Sequence, residues 1–195
     1  MSNTSATGGY IQPLTPPPIS GDQLDGVMQA LVVGVTGLPG NLVRPRWQSI
    51  EPKSPDLSVD WCGIGVIEYV AESNVSHTHS GVGLGSSTSY QVEKMVVSAS
   101  FYGPNCRSNA ALLRAGLMMA QNREALSLLE ISLAGEPTAA SRVPELVNGQ
   151  WLDRADLQFA IVRREVWVWP IENVLGIVAN VVTDADNQDD VITVP

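Results

Sequence analysis

The chain of 195 residues is poor in cysteine and has no long apolar run. Its two cysteines, Cys62 and Cys106, are too few for a disulfide framework and are not spaced as a zinc knuckle, so we expect both to be free, buried thiols. No apolar run reaches the roughly 18 residues that a membrane-spanning helix needs. The first twenty residues contain neither Lys nor Arg and no apolar block, so we expect no secretory leader and folding in a cytoplasm.

Positive charge is also scarce. Lys and Arg number 11 against 20 Asp and Glu, which gives a formal net charge of −9. Binding to a phosphate backbone requires clustered basic side chains, so this balance argues against a sequence-specific DNA-binding module. DNA passing nearby stays compatible with the charge, because an acidic surface repels phosphates and prevents adhesion.

The remaining composition is that of a folded protein. Apolar residues make up 44% of the chain and charged residues 16%, which excludes a disordered chain and favours one domain. We predict an extended, proline-rich arm over residues 1–20, an α+β domain over 21–182, and an acidic tail over 183–195 that is poorly ordered on its own. Tyr10 and Ile11 have no local apolar partners in the arm, so they need either the core of this domain or another subunit.

Three helices are predicted. The apolar stripe from Leu24 to Val35 has the spacing of a helix with one buried face, and Gly37 ends it. A second helix follows the turn at residues 103–105 and is expected to be buried over much of its girth. A third begins near Asn122, a favourable cap residue.

Alternating apolar residues predict strands around these helices. In the stretch 90–102, Met95, Val97, Ala99 and Phe101 share one face. Further strands are expected at 42–47, at 59–70, at 131–133, at 144–151 and at 154–169. The order of these elements predicts an α+β fold with a mostly antiparallel sheet and helices packed on one face.

Glycine and serine mark two irregular segments. Gly63 and Gly65 interrupt the strand at 59–70 and indicate a bulge or a close backbone approach. The stretch 73–89, SNVSHTHSGVGLGSSTS, is polar and glycine-rich, and it predicts a long, mobile loop between two strands.

Three motifs have the outline of a chemical site. His77 and His79 could share a metal, but no Cys, Asp or Glu lies near them to complete the ligand set. The run GVGLG at 81–85 has the glycines of a dinucleotide loop without the following helix, and FYGPN at 101–105 has one glycine and no lysine for a phosphate. We therefore predict no catalytic residue, no cofactor and no metal, and we interpret FYGPN as a joint between strand and helix.

Aromatic and basic side chains near the end of the last long strand are candidates for a protein interface. Trp167 and Trp169 share one strand face, and exposed tryptophans are typical of protein contacts; packing under the N-terminal arm of the same chain is the equal alternative. Arg163 and Arg164 are either solvated sheet charges or inter-subunit pairing groups. The candidate assembly residues are Tyr10, Ile11, Arg163, Arg164, Trp167 and Trp169.

Four segments resemble a known protein family. They are GYIQPLTPPPISGDQLDGVMQALVVGVTGLPGNLVRPRWQ, SFYGPN, QNREAL and PELVNGQWLDRADLQFAIVRREV. Together they are similar to bacteriophage neck, or tail terminator, proteins over residues 9–169. The resemblance covers nearly the whole predicted domain and implies a tail-terminator-like fold.

The resemblance also implies a function. It is that of a non-enzymatic virion protein that forms a ring, commonly hexameric, at the head-proximal end of the tail tube. Such a ring stops tube growth and joins the tail to the head–tail connector, with the tail tube protein as its other partner and a sheath protein as a further candidate. DNA passes through the central channel without specific binding, no membrane is involved, and assembly takes place in the host cytoplasm.

Two other assignments stay open at this point. The chain could be a head-completion protein or another structural protein of the neck or tail tube. A more distant alternative is a small hydrolase or nucleotide-binding enzyme that uses FYGPN or the histidine pair.

Overall fold

A computed structural model describes residues 3–50, 52–71, 74–147, 149–174, 177–182 and 189–194. The chain divides into two compact units. The larger unit comprises Pro17–Val75 and Gln91–Glu165, and the smaller comprises Met1–Pro16, Ser76–Tyr90 and Val166–Pro195. The predicted boundaries after residues 20 and 182 stay predictions.

The described residues form three α-helices and eleven strands. The helices are α1 (Asp22–Thr36), α2 (Cys106–Leu117) and α3 (Ala120–Ser127), with a short 3₁₀ turn at Gly40–Leu42. The strands are β1 (Val43–Pro45), β2 (Trp61–Ala71), β3 (Ser76–Ser80), β4 (Ser86–Tyr102), β5 (Ile131–Leu133), β6 (Ser141–Arg142), β7 (Glu145–Val147), β8 (Gln150–Leu152), β9 (Arg154–Trp169), β10 (Ile177–Val182) and β11 (Asp189–Val194).

Seven of these strands form one mixed sheet. Its order is β1-β2-β4-β9-β5, with β3 paired to β4 and β6 paired to β9. Only the edge strand β1 is known to run parallel to its neighbour, while β2–β4, β3–β4, β5–β9 and β6–β9 are antiparallel. The α+β prediction with a mostly antiparallel sheet is therefore confirmed.

The core of the larger unit lies between the helices and one face of the sheet. Met95, Val97, Ala99 and Phe101 of β4 are fully buried, as their alternation predicted. They join the apolar stripe of α1, the buried side of α2 and three alternate residues of β9 in one cluster. These partners are Leu24, Met28 and Val32 of α1, Ala110, Leu113 and Leu117 of α2, and Leu157, Phe159 and Ile161 of β9.

The second helix is less buried than the sequence suggested. Leu112 and Met118 are exposed, and the buried stripe of α2 runs instead through Ala110 and Leu113. The helix therefore contacts the core along one side only.

Cys106 of α2 and Cys62 of β2 are both free and buried, as predicted from the sequence. Burial raises the pKa of the Cys62 thiol.

Of the two glycines in β2, Gly65 marks a close approach, and the irregularity of the strand lies just beyond it. The register with β4 shifts between Val66 and Glu68, beyond both glycines. A Cβ added to Gly65 would lie 3.0 Å from Cζ3 of the Trp47 ring. Gly65 therefore makes room for the chain that crosses this face of the sheet.

The long mobile loop predicted over 73–89 is wrong for most of its length. Ser76–Ser80 and Ser86–Tyr90 pair as an antiparallel hairpin, with a turn over residues 81–85. These strands alternate Ser, Thr and His and have no apolar face, so hydrophobic periodicity does not reveal them. Ser73 lies outside the described residues.

The start of the third helix differs from the prediction, and part of the predicted tail forms a strand. The third helix begins at Ala120, and Asn122 donates from Nδ2 to the carbonyl of Gly116 at 2.8 Å instead of capping the start. In the predicted tail, Asp189–Val194 pairs with β10, because Val191–Val194 are β-branched and suit a strand. Residues 183–188 and 195 of that tail lie outside the described residues.

Substitution of Gly116 in α2 tests how closely α1 and α2 pack. A Cβ at this position would overlap Cγ1 of Val35, a stiff β-branched side chain. Gly116→Ala is expected to lower the free energy of unfolding by about 1–3 kcal/mol through overpacking. Urea denaturation, compared with the parent chain, measures this change.

Gly26→Ala is the matched control. Gly26 lies within α1, and a Cβ there would meet no atom within 4 Å. Gly26→Ala should raise the free energy of unfolding by about 0.5–1 kcal/mol, because alanine loses less backbone entropy on folding than glycine does. Equal stabilisation by both substitutions would contradict the close packing at Gly116.

Candidate assembly surfaces

A basic pocket lies on the sheet face opposite the core of the larger unit. Its lining includes Arg44, Arg46, Trp61, Tyr102 and Arg154, and we call this set the arginine–aromatic pocket. The pocket has a volume of about 290 Å³. The sequence analysis did not identify it, because its residues come from four separate segments of the chain.

Strand register places these side chains together. Trp61 of β2 is paired with Tyr102 of β4, and Gly63 with Ser100, so all four lie on the face away from the core. The two aromatic rings stack with centroids 4.0 Å apart and an interplanar angle of 7°. Arg46 lies over Gly63 and Gly65, and a Cβ at Gly65 would be only 3.2 Å from Cβ of Arg46.

The three arginines differ in their partners. Arg154 forms a bidentate pair with Asp156, with distances of 2.8 and 2.9 Å, and contacts Glu145 at 3.3 Å. The hydrogen bonds to Asp156 raise the pKa of Arg154 further. Arg46 donates to the Ser100 hydroxyl, whereas its buried Nε has no hydrogen-bond partner among the described residues.

Arg44 is held by backbone and aromatic groups. It donates to the carbonyls of Asn41 and Lys53, and its guanidinium lies 5.9 Å from the centroid of Trp61. In the described residues, neither Arg44 nor Arg46 forms an ion pair with a carboxylate. Among the described residues, the guanidinium groups of Arg44 and Arg46 therefore line the pocket without a paired carboxylate.

The N-terminal arm runs along the end of β9 in the smaller unit. The Leu14 amide donates to the carbonyl of Val168 at 2.6 Å, and the Ser5 amide donates to Pro170 at 3.1 Å. Thr15 bonds the backbone of the same strand through its hydroxyl. Between these anchors, Tyr10 is 97% exposed.

Of the other candidate residues in the smaller unit, Ile11, Trp167 and Trp169 are half-buried. Trp169 donates from Nε1 to the hydroxyl of Ser89 at 2.9 Å, and that hydroxyl donates to the Trp167 carbonyl at 3.4 Å. The tryptophans are thus less exposed than the sequence suggested. Their role in a subunit interface stays a prediction.

Arg163 and Arg164 lie in different environments. Arg163 is only 7% exposed; it donates to the carbonyl of Ile19 and forms ion pairs with Glu93 at 2.7 Å and with Glu165 at 3.4 Å. The solvated alternative is therefore wrong for Arg163, which faces inward because it continues the core-facing alternation of β9. Arg164 is exposed.

The histidine pair lies on β3, and both histidines are exposed. The His79 Nδ1 is 3.0 Å from the Ser87 hydroxyl, and its Nε2 is 2.8 Å from Oδ1 of Asn173. Asn173 also bonds the turn, since its Nδ2 donates to the carbonyls of Gly81 and Gly83. Both ring nitrogens of His79 are thus used in fixing the hairpin, and the described ranges contain no group of three metal-ligating side chains.

The turn FYGPN is a joint whose amide groups are already bound. The Asn105 amide and its Nδ2 both donate to the carboxylate of Asp60, each at 2.8 Å. Gly103 has a φ of 100°, and a Cβ there would lie 2.6 Å from the Val59 carbonyl oxygen. Asn105 is the capping residue of α2, and Pro104 directly precedes it. Asp60 occupies the place of an anion at this helix start.

An apolar groove lies between α1 and α3 in the larger unit. Small residues of α1, namely Gly26, Ala30 and Gly34, open it, and Leu126 and Leu129 line its far side. Its volume is about 480 Å³.

In the part of the chain that the structure describes, none of the helices has the length and apolar character of a membrane-spanning helix.

The described residues thus combine an α+β fold with aromatic, basic and apolar side chains on outer faces and along an anchored arm. A family model described as phage neck terminator protein matches residues 22–187. The chain therefore belongs to the phage neck terminator family, a structural family of the phage neck and tail, and the resemblance is confirmed. No curated protein matches the chain at a significant level.

The buried pair Arg163–Glu93 is expected to be important for stability. Glu93→Gln leaves the Arg163 guanidinium buried with a weaker set of partners, so we expect a loss of about 3 kcal/mol in the free energy of unfolding. Urea denaturation at neutral pH measures it. Arg142→Gln is the control, because it breaks the exposed pair with Asp153 and should leave the midpoint unchanged. Equal, small effects of both substitutions would contradict the internal role of Arg163.

Proposed function

We propose that this protein forms a ring, hexameric in the complete neck, at the head-proximal end of the phage tail. In this position it ends growth of the tail tube and joins the tail to the head–tail connector, leaving a central channel for DNA. The observation that carries the proposal is the family match over residues 22–187, which includes all three helices and the long strands. The tail tube protein, the connector and a sheath protein are the proposed partners, and assembly takes place in the host cytoplasm.

The anchored arm supports a subunit contact. A closed ring needs a heterologous interface, in which two different surfaces of adjacent copies meet. Hydrogen bonds on both sides of Tyr10 hold the arm to its own chain, while the Tyr10 ring is almost fully exposed. A large exposed aromatic side chain on a fixed backbone is the kind of residue that dominates binding energy at interfaces.

The charge balance supports a conduit. A net charge of −9 repels the phosphate backbone, so DNA can pass the protein without being held. We propose a passage without sequence-specific contacts, in which only the shape and charge of the channel matter.

The same groups disfavour the enzyme alternative. Both amides of Asn105 donate to Asp60, the Gly103 amide donates to the carbonyl of Asp153, and both nitrogens of His79 have partners in Ser87 and Asn173. We propose that the protein has no catalytic activity and needs no cofactor. A head-completion or tube-like role in the same neck region is the second candidate, and localisation in the particle separates the two.

Sedimentation velocity of the purified chain tests the ring. We expect a species with the mass of six chains of 20.8 kDa, in equilibrium with smaller species. Tyr10→Ala should weaken this association by about tenfold or more, because a central aromatic contact is lost. Tyr69→Ala, at an exposed tyrosine of β2, is the matched control and should leave it unchanged.

Electron microscopy of intact particles provides the complementary measurement. Antibody labelling is expected at the junction between tail and head. A protein that stays monomeric at all concentrations and is absent from particles would contradict the proposal. Labelling at the head vertex alone would favour head completion.

A further inference from the structure

We propose that the arginine–aromatic pocket binds the acidic segment Thr183–Asp190 of a second copy of this chain. The inference rests on the proposed ring, because it names one pair of surfaces that would meet at its subunit interface. The ligand chemistry is a carboxylate-bearing peptide, and the receptor is the pair Arg44 and Arg46 beside the stacked rings of Trp61 and Tyr102.

The guanidinium groups of Arg44 and Arg46 in the pocket can bind an anion. Arg44 and Arg46 have no carboxylate partner among the described residues, although the chain has nearly twice as many acidic as basic residues. In the same part of the chain, the buried Nε of Arg46 also lacks a hydrogen-bond acceptor. A buried donor without a partner is costly, so a carboxylate that reaches it gains a charge-assisted hydrogen bond.

Size and charge favour a peptide over DNA. A volume of about 290 Å³ accommodates one or two side chains, and the pocket does not extend as a basic track. Asp156 and Glu145 lie against Arg154 and place negative charge along one side. A phosphate backbone would meet these carboxylates at once, whereas a short acidic segment can approach from the side of Arg44 and Trp47.

The sequence of the chain itself supplies a matching segment. Residues 183–190 are TDADNQDD, with four aspartates in eight residues, and no Lys or Arg occurs after Arg164. The segment therefore carries four negative charges with no basic side chain near it in sequence. In a heterologous interface, one copy can offer the basic surface and its neighbour the acidic one, and the same contact repeats around a ring.

Three full-length variants and one peptide pair test this contact. In the tail-neutral variant, the pocket is intact and the segment has lost its charge through Asp184→Asn, Asp186→Asn, Asp189→Asn and Asp190→Asn. In the pocket variant, the segment is intact and the substitutions are Arg44→Gln and Arg46→Gln. The control variant carries Arg107→Gln and Arg114→Gln, which remove two exposed arginines of α2.

The first measurement is calorimetric titration of the tail-neutral variant with the blocked peptide TDADNQDD. We expect binding that weakens about tenfold or more when every Asp of the peptide is replaced by Asn, because the charge-assisted bonds are lost. Adding the pocket substitutions to the tail-neutral variant should give the same loss, and adding the control substitutions should not. The Asp and Asn peptides are titrated into the same protein, so the comparison between them is valid even if the pocket variant folds poorly.

The second measurement is mixing of the tail-neutral and pocket variants in sedimentation velocity. Each variant alone should associate at least about tenfold more weakly than the parent chain. The mixture should regain a larger species, because the intact pocket of one variant meets the intact segment of the other. A contact within one chain would give no such recovery and would overturn the assignment to a second copy.

The remaining outcomes are also decisive. Equal binding of the Asp and Asn peptides would overturn the proposal, as would a pocket variant that associates like the parent. Binding of a duplex or single-stranded oligonucleotide at this pocket, with no binding of the peptide, would overturn it in favour of a phosphate site. A parent chain that forms rings while the peptide fails removes this inference alone, whereas a monomeric parent chain absent from particles removes the proposed function.

Discussion

The two-residue alternation of β2, β4 and β9 is the constraint on which the larger unit depends. On β4, the residues from Met95 to Phe101 that face the helices are apolar and fully buried, while Ser100 and Tyr102 face the other way. A slip of one residue in the β2–β4 register would send the core residues to the outer face and the pocket residues inward. The hydrophobic core and the arginine–aromatic pocket are thus two consequences of one register.

The arginines of this acidic protein fall into two groups. Some form ion pairs within the chain, and others can bind a partner. Arg163 forms ion pairs with Glu93 and Glu165 inside the larger unit, and Arg154 forms an ion pair with Asp156. Among the described residues, Arg44 and Arg46 form no ion pair with a carboxylate, and they lie on an outer face. In a neck terminator protein, whose role depends on contacts with other chains, such groups are candidates for recognition.

Sequence patterns predicted the parts of the fold that repeat. The apolar stripe of α1 and the alternation in β4 and β9 are long enough to be recognised, and the helices and strands follow them closely. The hairpin at residues 76–90 was missed because neither of its strands has an apolar face. The buried face of α2 was assigned too broadly, because Leu112 and Met118 are apolar yet exposed. Arg163 was judged by its charge, although its position on the core-facing side of β9 already pointed inward.

By itself the sequence determined the fold class, the acidic character and the membership of a phage neck family, because these depend on composition, local periodicity and shared segments. Only the tertiary structure decided which side chains meet. Arg44, Trp61, Tyr102 and Arg154 are far apart along the chain, and strand pairing brings them to one face. Likewise, Asn173 reaches the turn after His79 from more than ninety residues away. The alternation within a strand fixes which of its residues face the core, but which residue of a distant strand lies opposite each of them is decided only when the strands pair.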